Sequence, residues 1–195
     1  MAGVLDRIRT GRESAGLALV ADAGAVVEAA AAMAGRFRRG SRLLTFGRGA
    51  AAADAAHVAV EFSHPVIVGK PALPAHCLGG EPGLLPVLGR PGDIAVGVLP
   101  AAGDFAAARE LDMLTVALVA GATRDTPATA AGAPAGVRTA GESAAGAGAA
   151  GGGVAAEHVL AAHSDDPLIV REIHITVYHL LWELAHVFLE SEEGT

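Results

Sequence analysis

The chain reads as a doubly wound α/β domain, a central parallel sheet sandwiched between helical layers, with a long helix near each end. Three features of its 195 residues lead there. Apolar runs alternate three times with alanine-rich or helix-forming segments, and glycine or proline marks the joints. The apolar runs are continuous, as in parallel strands covered on both faces. Side chains are small, with 26 glycines and only 4% aromatics, so packing must come from layers in close approach.

From Ala15 to Phe37 there is no proline, alanine is frequent and apolar residues recur at helical spacing. The segment stops at Arg38, Arg39 and Gly40, a fitting C-terminal cap, so one long helix is expected. Arg42 to Gly47 is a short apolar run closing on Gly47, Arg48 and Gly49. Ala50 to Phe62 then has strong helix propensity, which completes a strand, glycine turn and helix. His76 to Gly80 suits a second short strand and Asp93 to Leu99 a buried one. A helix over Phe105 to Met113 and a strand over Leu114 to Ala120 repeat the unit. Between Thr126 and Gly153 the composition collapses largely to alanine, glycine, proline, serine and threonine. Residues 126–153 therefore read as a flexible loop, either a surface connection or an active-site lid. Val154 to Ala162 suits a last strand. Asp165 and Asp166 before Pro167 open a C-terminal helix that runs to about Glu190.

Length and composition bound the rest. A chain of this size makes a single domain, 1–195, around one core. With 52% hydrophobic and 18% charged residues, disorder of the whole chain is excluded. The net charge of -7 argues against a nucleic-acid partner, which calls for a basic face. A lone cysteine, Cys77, rules out an internal disulfide framework and fits a reducing, cytoplasmic setting. No membrane segment or signal peptide is expected. Asp22 and Glu28 interrupt the N-terminal run, and His174, His179, Glu183 and His186 interrupt the apolar stretch Ile173 to Leu189.

Two polar patterns stand out. His57, Glu61 and His64 fall at i, i+4 and i+7 of a helix, projecting within roughly 60° of one another. Imidazole and carboxylate at that spacing can share a divalent metal or act as an acid and base pair; the same spacing also suits a stripe facing solvent, with His64 fraying off before Pro65. His179, Glu183 and His186 repeat the spacing on the C-terminal helix, extended by Glu172 and Glu190. A stripe this long points to water, since Ile173, Val177, Leu180, Leu184 and Phe188 supply an opposite face for docking. The glycine turn offers helix N-terminal amides to an anion, a weak signal by itself.

Taken together, these segments resemble the sugar isomerase (SIS) domain family, and within it the phosphoheptose isomerase branch. Gly47 to Glu61 is similar to the family's GNGGSAADAQHxxxE turn and helix. Gly92-Asp93-Ile94-Ala95-Val96 looks like the strand leading into its serine-rich loop. Arg171 to His179 is similar to its QEVHxxxxH at the start of the last helix. The resemblance implies a three-layer, flavodoxin-like α/β sandwich, assembled as homotetramers or dimers with active sites between subunits. It implies interconversion of sedoheptulose 7-phosphate with a heptose 7-phosphate, with Glu61 and His179 as acid and base moving protons through an enediol. It further implies His57, Glu61 and His179 as ligands of a divalent metal, zinc being the candidate cofactor, and the positions of Arg48, Gly49, Ala51, Asp104 and Arg171 as contacts of the substrate.

Most departures from the family pattern fall on the anion site. Arg48, Ala50 and Ala51 replace its asparagine, glycine and phosphate-binding serine, and Pro100-Ala101-Ala102-Gly103-Asp104-Phe105 replaces its STSGNS loop. Pro100 lacks an amide donor, and Asp104 sets a negative charge where a phosphate would approach the next helix, which Asp104 is suited to cap. Each hydrogen bond lost to a charged ligand is worth about 1.5–3 kcal/mol, so three or four such losses weaken phosphate binding by several orders of magnitude. Arg48 is either a new anion contact or a plain surface residue. Arg171 stands for a metal-ligating glutamine; a cation there would repel a metal and could pair with Glu61 instead. The alternatives to an isomerase are a non-catalytic SIS scaffold that binds a protein partner, and an accessory protein for a metal or a non-phosphorylated small molecule.

Overall fold

The computed structural model describes residues 2–65, 67–121 and 154–191. The loop expected over 126–153 lies outside the described residues. Helices α1 (Ala2–Ala21) and α2 (Ala23–Arg38) lead into β1 (Leu43–Phe46), α3 (Ala51–Ser63) and β2 (Ala75–Cys77). A 3-10 turn over Pro82–Leu84 runs into α4 (Leu85–Leu88). Then follow β3 (Ile94–Val98), α5 (Ala106–Glu110), β4 (Leu114–Val119), β5 (His158–Ala161) and α6 (Pro167–Ser191).

The five strands pair in parallel in the order β2-β1-β3-β4-β5, the flavodoxin-like order. β1, β3 and β4 are buried along their whole length, which explains their uninterrupted apolar sequences. Alternation survives as a choice between two faces. Val96, Val116 and Leu118 pack with α2, α3 and α6 in one core layer, whereas Phe46, Ala95 and Ala117 pack with Leu85 and Phe105 in the other.

The long helix expected from Ala15 to Phe37 is two helices, bent by 59° at Asp22. The Asp22 carboxylate binds His163 Nε2 in the segment after β5, so a residue of poor helix propensity is held by a tertiary partner where the helix breaks. α1 rests lightly on the body: Ala15 is buried, whereas Leu5, Leu17 and Val20 are exposed. No single helix among the described residues is long and apolar enough to cross a membrane. α5 is shorter than the expected Phe105 to Met113. It stops at Glu110, and Asp112 turns the chain with a positive φ of 54° into β4.

Strand β1 reverses into α3 at the sheet's switch point, where β1 has β2 on one side and β3 on the other. Gly47 is required there by contact. A Cβ on it would meet the Ala51 carbonyl oxygen at 2.6 Å and that of Val98 at 2.9 Å. Gly49 follows with φ 58°. The buried Thr45 hydroxyl donates to the Ala55 carbonyl at 2.7 Å and fastens α3 to the strand that precedes it. Gly47→Ala should therefore force the backbone of the turn apart and lower unfolding stability by about 1–3 kcal/mol in urea denaturation, the usual range for overpacking; an unchanged midpoint would contradict this contact.

Candidate active site

α3 carries His57 and Glu61 one helical turn apart, so both leave the same face. α6 lies across that face and brings His179 to it. Glu61 Oε1 is 2.9 Å from His57 Nε2 and 3.5 Å from His179 Nε2. The three donor atoms all lie within 4.8 Å of one another. Glu61 is the least exposed, its side chain 16% accessible, and the two imidazoles are half open at 44% and 46%. The carboxylate thus sits at the base of a shallow site with a ring on either side.

The register of α6 is set by buried groups. His174 Nε2 lies 3.1 Å from the Val119 carbonyl oxygen at the end of β4, and it must carry the proton because a carbonyl only accepts. Burial holds the His174 imidazole below its ordinary pKa, the bond to Val119 opposing in part. Tyr178, fully buried, places its hydroxyl 2.7 Å from His57 Nδ1. Its phenol is pushed up to about 12, first by burial and then by the charges of Asp54 and Glu61, so the hydroxyl keeps its proton at neutral pH.

Arg171 does not pair with Glu61. Its Nε donates to Asp54 Oδ1 at 2.9 Å, a buried carboxylate in the first turn of α3. The expected opposition between Arg171 and a metal at Glu61 is answered by a nearer acid that the apolar helix hides. Arg48 is not a plain surface residue: its guanidinium binds Asp104, bridging the loops after β1 and β3. Nor does Asp104 cap α5. The same carboxylate oxygen that meets Arg48 accepts the Ala101 amide at 2.8 Å, in its own turn, and the residue before α5 makes no side-chain cap. The amides of Ala51, Ala52 and Ala53 donate to Arg48, Gly49 and Ala50 at 3.1–3.2 Å, so the first turn of α3 is internally bonded.

The second polar pattern is not a solvent stripe throughout. His186 is fully buried, with Nδ1 2.8 Å from the Trp182 carbonyl and Nε2 3.0 Å from that of Pro71. Leu180, Leu184 and Phe188, expected to dock α6, are only partly buried, and His174, Tyr178 and Trp182 share the buried face. His64 ends α3 as expected and stays outside the trio, bonded to Ser63 at 2.8 Å. The sequence reading missed Tyr178 and Asp54. A phenol four residues after a buried histidine, and one acid in an alanine-rich first turn, were the signals available.

A carboxylate between two imidazoles can take a proton from one carbon and return it to the next. It also fits a divalent ion, since two histidines and one glutamate are a donor set of catalytic zinc sites, which leave a further position open. Joined to a flavodoxin-like sheet whose switch point opens on a glycine turn, this is the arrangement that the resemblance to the sugar isomerase class of α/β protein implies. Among curated proteins, the phosphoheptose isomerase of Nitratidesulfovibrio vulgaris is 30% identical over 84% of this chain and 77% of its own length. That of Desulfovibrio desulfuricans is 33% identical over 83% and 76%. The chain belongs to the phosphoheptose isomerase family. Solved phosphoheptose isomerases from Francisella tularensis and Neisseria gonorrhoeae share the fold. Their TM-scores are 0.66 and 0.65 at 20% and 22% identity, over 93% and 94% of this chain and 97% and 95% of theirs. No family model matches.

One buried and one partly buried imidazole give a pH dependence. Burial lowers the pKa of both His174 and His158 in the folded state, so below the ordinary imidazole value of 6.5 the unfolded chain binds the extra protons. Stability should be full above that value and fall as pH drops beneath it. The urea midpoint should hold from mildly alkaline to neutral buffer and decline on acidification, with a shallower decline in His174→Gln.

Proposed function

We propose that the protein is an aldose–ketose isomerase of the phosphoheptose type that no longer depends on a phosphate grip. The observation that carries this reading is the Glu61 carboxylate between His57 and His179. Glu61 and His179 are the pair that shuttles the proton between neighbouring carbons through an enediol. His57, Glu61 and His179 would hold a zinc ion, which when bound polarises the substrate carbonyl and stabilises the developing negative charge.

The altered tail follows from the switch-point loops. In this family's pattern the loop after β3 supplies hydroxyls to phosphate; here Asp104 supplies a carboxylate that takes up the Ala101 amide and the Arg48 guanidinium. The chain's own anion occupies the donors an incoming one would use. We propose Arg48, Gly49, Ala51 and Arg171 as the rim of the substrate site and Asp104 as the group that excludes phosphate. A non-catalytic scaffold is the second reading, favoured by the same Asp104 pair.

Enzyme and scaffold part on one substitution. Glu61→Gln should cut isomerisation of the unphosphorylated heptulose by 10²–10⁴-fold if Glu61 is the base; a wild-type protein with no turnover on either sugar favours the scaffold. In calorimetry, wild type should bind sedoheptulose 7-phosphate no better than sedoheptulose, and Asp104→Ser should improve phosphate-ester binding at least about tenfold, the equivalent of one charged hydrogen bond. Micromolar binding of the phosphate ester by wild type would sink the exclusion.

We also propose self-assembly. Leu5, Leu17 and Val20 on α1 stay exposed in the single chain, and a second copy is the occupant that such a face suits. Sedimentation equilibrium should give two or four times the 19.4 kDa chain mass; a monomer would refute it.

A further inference from the structure

His57 is held at both ring nitrogens, and its two partners decide where its proton lies. Nε2 is 2.9 Å from Glu61 Oε1, and Nδ1 is 2.7 Å from the Tyr178 hydroxyl. An ionised carboxylate only accepts hydrogen bonds, so in the neutral ring Nε2 carries the proton. Nδ1 is then a bare lone pair, and the Tyr178 hydroxyl donates to it. The phenol is a fixed support: it is fully buried, and its ring stands edge-on to His57 at 5.2 Å and to His179 at 4.9 Å. The family pattern QEVHxxxxH leaves its position open, so nothing in the resemblance assigns Tyr178 a task.

A metal ligand needs the other tautomer, with Nε2 bare and the proton on Nδ1. A backbone carbonyl at Nδ1 would lock that form, and an amide donor would forbid it. A hydroxyl serves both, because turning its hydrogen away exposes an oxygen lone pair to Nδ1–H while no heavy atom moves. The proton count balances: the ring loses one proton at Nε2 and gains one at Nδ1.

We propose that Tyr178 is a positioning residue for His57, its buried hydroxyl fixing the ring plane and switching between donor and acceptor as His57 changes from hydrogen-bond donor to metal ligand. The switch rests on the reading of His57, Glu61 and His179 as a metal trio; the fixing of the ring in the metal-free protein does not.

Nitrogen-resolved NMR of histidine-labelled protein in mildly alkaline buffer separates the two. Metal-free wild type should show His57 as a single Nε2–H tautomer, which zinc converts to Nδ1–H. Tyr178→Phe keeps the ring but removes the hydroxyl, and should give His57 as a tautomer mixture and weaken zinc binding 10–100-fold, the range for loss of a partner behind a metal-bound histidine. An Nδ1–H form in metal-free wild type, or a Tyr178→Phe spectrum identical to wild type, overturns the proposal. If wild type takes up no zinc, the metal reading and the switch fail together. The fixing of the ring is still decided by the metal-free spectra of the two proteins.

Discussion

The hydrogen bond from the buried His174 ring to the carbonyl of Val119 sets the place of the last helix, and the site depends on that placement. α6 is 25 residues long, and its apolar contacts alone would tolerate sliding. A slip of one turn would carry His179 about 5.4 Å along the helix axis and out of reach of Glu61. One polar anchor at the end of β4, and another between Arg171 and Asp54 on α3, remove that freedom. The dry surroundings of this anchor disfavour a charged imidazole, so the fold and the site that hangs on it share a sensitivity to acid.

The two ends of α3 do different work. Its first turn packs on the switch-point loops, where Gly47 lets three backbone segments meet. Glu61 lies ten residues beyond Ala51, about 15 Å of helix rise. The positions that match the family's anion turn and its acid–base glutamate are therefore separated along one helix. Changes can accumulate at the first without disturbing the second, and the departures from the family pattern follow this division except for Arg171 in the place of a metal-ligating glutamine. Glu61, His57 and His179 stand together while Ala51, Pro100 and Asp104 have altered the loops.

The α/β architecture was legible because burial on both faces writes itself as uninterrupted apolar runs, and glycine marks each tight exit. His57 and Glu61 were legible as neighbours because helical spacing alone brings them together. His179 was joined to them only through the family resemblance, since periodicity says nothing about which helix lies opposite. The rest was hidden by long-range partners. Arg171 meets Asp54 across 117 positions, and His186 meets Pro71 across 115. A polar residue whose partner lies so far away looks in sequence like one facing water. The break at Asp22 was lost for the same reason, as His163 is 141 residues distant.

Asp104 differs from any dissolved anion in being attached. A tethered group competes at an effective concentration of the order of millimolar or above, and dilution never lowers it. On the function proposed above, phosphate esters at ordinary trace levels would be kept out by a rival that cannot leave. A neutral sugar asks nothing of those donors and meets no such rival. On that reading the switch-point loops would discriminate by being already answered, one attached carboxylate standing where a dissolved anion would sit.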